Sequence, residues 1–193
     1  MQINLFFFEI IQISSIFTKK KSMQIVLLGY MGSGKSTIGK ILSKKLNISF
    51  LDLDHYIEEA LESSISNVFE QQGEIFFRKK EHFYLNEILT KKDDFILSTG
   101  GGTPCYSGNV DLMLEKTSHV FYLKVSISGL VERLLKEKDH RPLIKNISEE
   151  DLPEFIGKHL FERNPFYQAA HKTISCDHKL PESIAEEIIA QLG

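Results

Sequence analysis

Five short apolar runs, "IVLLG", "ISFLDLD", "DFILSTG", "VFYLKV" and "KTISCD", recur along the chain, and the segments between them carry apolar residues at helical spacing. Runs of this length, rich in β-branched and aliphatic residues, predict strands. Strands alternating with helices predict an α/β domain whose mostly parallel sheet is covered on both faces. In such sheets ligands sit beyond the carboxyl ends of the strands, so the residues just after each run are the candidates for chemistry.

After the first run stands "GYMGSGKST", residues 29–37, with the spacing Gly29-x-x-x-x-Gly34-Lys35-Ser36. Glycines here allow φ > 0 and close backbone approach, so that successive N–H groups converge on phosphate oxygens. Lys35 adds a mobile charge for the β- and γ-phosphates, and the Ser36 hydroxyl suits Mg²⁺. The amphipathic segment "TIGKILSKKL" that follows predicts a helix whose positive end faces the same anion. A nucleoside triphosphate site is the expectation.

Later strand ends offer further candidates, each with a plainer alternative. Asp52 and Asp54 follow the second run; in an extended segment they point to one side, one toward Mg²⁺ and the other toward a substrate hydroxyl, while Asp54 serves equally as a helix cap. "GEIFFRKKEHFYLNEIL" predicts one long helix from about Gly73 to Thr90. There Arg78 with Glu74 and Glu81 reads either as a solvent-facing ion-pair ladder or as a planar donor for a carboxylate, oriented by Glu81. Gly100, Gly101 and Gly102 end the third run, fitting close backbone approach or a plain turn. That run lacks the acidic end of a Walker-B segment. Arg141, before Pro142, fits a mobile basic segment closing over phosphates or an exposed loop. Arg163 and Tyr167 are four apart on a helical face unless Pro165 bends it.

Composition narrows the picture. At 193 residues the chain is sized for one domain, and its 26 acidic against 23 basic residues give no nucleic-acid or membrane surface. The two cysteines, Cys105 and Cys176, lack metal-ligand spacing and fit a reducing cytoplasm; His55, His82 and His171 form no ligand pattern. Residues 1–22 read neither as a signal peptide, since Lys19 to Lys21 follow the apolar stretch, nor as a membrane span. They are expected to be a dispensable extension ahead of Met23, with a surface anchor as the alternative.

The ordered set "GYMGSGKST", "FLDLD", "GEIFFRKKE", "STGGG", "RPLI" and "RNPFY" resembles the shikimate kinase family over about residues 23–193. The resemblance implies a three-layer P-loop kinase fold with a five-stranded parallel sheet and a mobile lid at about residues 137–150. It implies phosphorylation of the 3-hydroxyl of shikimate by ATP with Mg²⁺, in chorismate and aromatic amino-acid biosynthesis, by a cytoplasmic monomer. Asp54, Arg78, Gly100, Gly101, Gly102 and Arg163 then bind shikimate, the two arginines holding its carboxylate. Ser36 and Asp52 serve the metal; Gly32, Ser33, Gly34, Lys35, Ser36, Thr37, Arg133 and Arg141 bind the nucleotide, with Arg133 and the segment before Pro181 on the nucleobase side. Lys35, Asp54 and Arg141 carry catalysis. The chain departs from the family with Thr103-Pro104 after the glycines and "RPLI" for "RPLL", neither expected to touch a contact. Another small-molecule kinase would share the loop and lid but not the acceptor residues, and a motor ATPase would want the missing acidic strand end.

Overall fold

In the computed structural model, residues 22–138, 141 and 143–192 are described. The expected extension lies, apart from Ser22, outside the described residues, as do positions 139, 140 and 142 of the expected lid.

The five predicted strands form, as β1 (Gln24–Leu28), β2 (Ser49–Asp52), β3 (Phe95–Ser98), β4 (His119–Lys124) and β5 (Lys172–Ser175). All pair in parallel, in the order β2-β3-β1-β4-β5. Ile25, Val26, Leu27 and Leu28 of the central β1 are fully buried, which is why that run reads as continuously apolar rather than alternating. Helices α1 (Lys35–Leu46), α2 (Leu53–Leu61), α3 (Ile65–Thr90), α4 (Asn109–Lys116), α5 (Ile127–Leu135), α6 (Leu152–Gln168) and α7 (Pro181–Ile189) fill the connections. α1 packs on α7, α5 on α6, and α3 on both α2 and α4.

Local chemistry sets the helix ends. α1 starts after Gly34, whose φ of 96° is left-handed, and stops at Asn47, also left-handed, with Lys44 and Lys45 in its last turn. α5 is capped by Ser126, whose hydroxyl accepts from Gly129 N.

Two expectations change. The helix predicted from Gly73 is preceded by another from Ile65, and the two meet at Gly73, where φ 78° and ψ 170° break the helical path. Asp52, Leu53 and Asp54 are not one extended segment. Asp52 ends β2 and caps α2 by accepting from Asp54 N at 3.2 Å, so the cap is Asp52, not Asp54. Pro165 does not interrupt α6, and Tyr167 beyond it is fully buried.

Candidate active site

The site forms where β1, β2 and β3 end side by side. Register sets Asp52 of β2 and Leu27 of β1 opposite Ser98 of β3. The loop after β1 rises over these ends. A side chain at Gly29 would bring its Cβ to 2.7 Å from Ser33 Oγ and 2.8 Å from Leu123 O, so the loop closes only without one. Ser33 Oγ beneath it is buried and has no hydrogen-bond partner among the described residues.

Lys35 opens α1 and folds back, Nζ donating to Gly29 O at 2.8 Å and Tyr30 O at 3.0 Å. Burial lowers its pKa from 10.5 to about 8, against the pull of Asp54 and Asp52. An ammonium so incompletely compensated is stabilised by an added anion. Arg133 of α5 braces the loop from behind, donating to Gly32 O and Ser33 O at 3.3 Å each and to Cys176 O at 3.1 Å. With Lys179, Pro181 and Thr37 it lines a recess beside the loop.

Ser36 Oγ donates to Asp52 Oδ2 at 2.8 Å and lies 3.4 Å from Ser98 Oγ. The carboxylate missing from the end of β3 is thus supplied by the neighbouring strand β2. Serine and carboxylate oxygens together are a hard donor set that fits Mg²⁺. Asp54, in the first turn of α2, keeps part of its surface open to the cleft but is otherwise enclosed by protein. Burial first, then Asp52 and Glu81, raises its pKa from 3.8 to about 6, with Lys35 opposing.

Arg78 is held by both glutamates of its own helix. Its Nη1 donates to Glu81 Oε2 at 2.9 Å and its Nε to Glu74 Oε1 at 3.3 Å. Glu81 is 1% exposed and also accepts from Thr103 Oγ1 at 2.7 Å, which is incompatible with a solvent-facing ladder at that end. Thr103 therefore does reach the site, through Glu81, contrary to the expectation from sequence.

None of Gly100, Gly101 and Gly102 is left-handed; a side chain at each would crowd a close neighbour. A Cβ at Gly100 would approach Asp54 Oδ1 to 2.7 Å, at Gly101 the Met31 amide to 3.3 Å, and at Gly102 Arg78 Nη2 to 3.2 Å. Tyr167 OH donates to Gly101 O at 2.5 Å, tying this strip to α6. On the same helix Arg163 lies 5.6 Å from the Tyr30 ring, and Tyr30 OH shares a hydrogen bond with His159 Nδ1 at 3.0 Å. Arg141 pairs with Glu137, its Nε donating to Oε2 at 3.0 Å.

These residues line two adjoining clefts. One holds Gly34, Lys35, Ser36, Thr37, Asp52 and Ser98; the other holds Arg78, Gly102, Leu143 and Arg163. Met31, Asp54, Gly101 and Arg141 belong to both. A triphosphate cradle thus meets an arginine-lined chamber at Asp54. Sequence reasoning passed over Ser98 and Glu137, which line the first cleft, and Thr103 and Tyr30, which contact its surroundings. Only Tyr30, inside the phosphate loop, carried a local signal.

A family model described as shikimate kinase matches residues 31–193. The chain is 52% identical over 166 residues to a shikimate kinase of Flavobacterium psychrophilum, covering 86% of this chain and 96% of that protein. A crystal structure of shikimate kinase from Bacteroides thetaiotaomicron superposes with a TM-score of 0.82 at 34% identity, covering 88% of this chain and 98% of that one. One from Acinetobacter baumannii, in complex with shikimate, gives 0.79 at 32% identity, covering 90% and 94%.

Proposed function

The chain belongs to the shikimate kinase family, and from that premise we propose how its two clefts divide the work of transferring a phosphoryl group from ATP to the 3-hydroxyl of shikimate. The enzyme is a kinase of the shikimate pathway, with ATP as co-substrate. The observation that carries the division is the position of Asp54, shared between the phosphate loop and the arginine chamber.

Gly32, Ser33, Gly34, Lys35, Ser36 and Thr37 cradle the ATP phosphates, and Arg133 with the recess before Pro181 faces the nucleobase. Arg78 and Arg163 hold the shikimate carboxylate as planar donors, and Gly100 to Gly102 let the ring lie against backbone. Ser36 and Asp52 would hold Mg²⁺, which supplies charge neutralisation and orientation of the phosphates.

Positioning carries most of the rate, because the loose transition state asks little covalent chemistry of the protein. Asp54 accepts a hydrogen bond from the attacking hydroxyl and takes its proton late. Lys35 and Arg141 balance the charge that develops on the phosphoryl oxygens. Arg141 belongs to a lid over about residues 137–150, whose closure excludes water. The enzyme acts as a cytoplasmic monomer. Among the described residues no helix is long and apolar enough to cross a membrane.

Asp54 provides the test. Its folded pKa of about 6 lies above the ordinary 3.8, so its contribution to stability is complete below 3.8 and is lost as pH rises through 6. Its protonation below 6 also removes the acceptor for the hydroxyl. We expect kcat/KM for shikimate to fall about tenfold per pH unit below 6. Asp54→Asn should abolish that limb with most of the activity, yet melt a few degrees higher than wild type above pH 6, at about 2–4 °C per kcal/mol. An Asn variant with wild-type kcat/KM would remove Asp54 from the reaction. Residues 1–22 take no part in this reading, so a chain starting at Met23 should give the same profile.

A further inference from the structure

The turn after the three glycines places Tyr106 over Arg78, with the guanidinium carbon 3.9 Å from the ring centroid. The other aromatic neighbours of Arg78 are farther, Phe77 at 5.1 Å and Phe69 at 5.9 Å. Tyr106 is 38% exposed and stands outside the buried core, so core packing does not account for its place. The turn that carries it is anchored instead by polar contacts. Asn109, fully buried, donates through Nδ2 to Thr103 O at 2.9 Å and through its amide to Tyr106 O at 2.9 Å. His82 Nδ1 holds the other end of the side-chain carboxamide, 2.7 Å from Asn109 Oδ1.

The surroundings of Arg78 are correspondingly one-sided. Glu74 takes Nε, Glu81 takes Nη1, and the tyrosine ring covers one face. Among the described residues no carboxylate takes Nη2, and Gly102 keeps the neighbourhood of both terminal nitrogens clear, since a Cβ there would stand 3.2 Å from Nη2 and 3.4 Å from Nη1. A guanidinium held this way is presented edge-on to an incoming carboxylate, with its rotation already restricted.

We propose that Tyr106 is a positioning residue for the acceptor carboxylate, acting through Arg78 by stacking on its guanidinium. The proposal rests on the reading of Arg78 as a carboxylate ligand. It extends the acceptor site to a residue outside the glycine strip. Stacking needs the ring and not the hydroxyl, so phenylalanine suffices at this position and alanine does not.

The experiment is steady-state kinetics with shikimate varied at saturating ATP and Mg²⁺, on Tyr106→Ala, Tyr106→Phe, Arg78→Lys and the double variant Tyr106→Ala/Arg78→Lys. Tyr106→Ala should raise KM for shikimate about 2- to 30-fold, the span of a cation–π contact from exposed to desolvated. Its kcat, KM for ATP and melting temperature should stay close to wild type. Tyr106→Phe should restore KM for shikimate. In the Arg78→Lys background the alanine change should cost less than in wild type, because the planar guanidinium on which the ring stacks is already gone. A wild-type KM in Tyr106→Ala, a Phe variant as poor as Ala, or full additivity in the double variant would overturn the proposal. If Arg78→Lys is impaired while Tyr106→Ala is not, only the stacking role fails. If Arg78→Lys is itself unimpaired, the carboxylate reading fails beneath it.

Discussion

Lys35→Ala is expected to lower kcat by about 10²–10³-fold, the scale of losing one preorganised stabiliser of developing charge. The side chain is buried, its only donors' partners among the described residues being the carbonyls of Gly29 and Tyr30. Two carbonyl dipoles do not neutralise an ammonium, and burial has already pulled its pKa down to about 8. A lysine whose folded pKa lies below 10.5 loses stability as pH falls through 8, so at neutral pH the charge is held at a cost to folding. Its removal should therefore leave the melting temperature unchanged or raised while catalysis collapses. Stopped turnover with a preserved melting curve is the combination to look for. Near-normal kcat in Lys35→Ala would take the phosphate loop out of the mechanism.

Arg78→Lys and Arg163→Lys are expected to lower kcat/KM for shikimate by roughly ten- to a hundredfold, with KM for ATP little changed. Each keeps the charge but gives up the planar fork, and a charged hydrogen bond to a bound ligand is worth about 1.5–3 kcal/mol. The two should differ in stability. Arg78 is the partner of Glu81, which is 1% exposed, so weakening that pair disturbs a buried carboxylate and should lower the melting temperature. Arg163 is half-buried against the Tyr30 ring and pairs with no buried carboxylate among the described residues, so its variant should melt like wild type. Wild-type kcat/KM in both variants would refute the carboxylate clamp.

What could be read along the chain was what local sequence decides. The five strands and the phosphate loop follow from short apolar runs and glycines in one stretch, and they stand where expected. Arg78 was ambiguous because an exposed ladder and a buried pair share the same i, i+3 spacing. A signal was present all the same: Glu81 sits between Phe77 and Leu85, four residues from each, inside the buried stripe of α3. A carboxylate in an apolar stripe needs a buried partner, which points Arg78 inward. Asp54 lines the cleft at the strand ends, but it reaches there from the first turn of α2 and not from an extended strand. Thr103, Tyr106 and Ser98 were illegible because their partners lie 22 or more residues away, and no local pattern specifies such contacts. The glycine strip was legible as unusual, but the neighbours a Cβ would meet there, Asp54, the phosphate loop and Arg78, are brought together only by the fold.

On the proposed mechanism the cradle and the arginine chamber pass one phosphoryl group across Asp54 to a hydroxyl of the bound acid. Phosphorus NMR of the products from ATP, Mg²⁺ and shikimate, with gluconate and nucleoside monophosphates as alternative acceptors, tests it most directly. One shikimate 3-phosphate is expected for every ADP, with no comparable transfer to the other acceptors. ADP accompanied by inorganic phosphate, with shikimate unchanged, would contradict it.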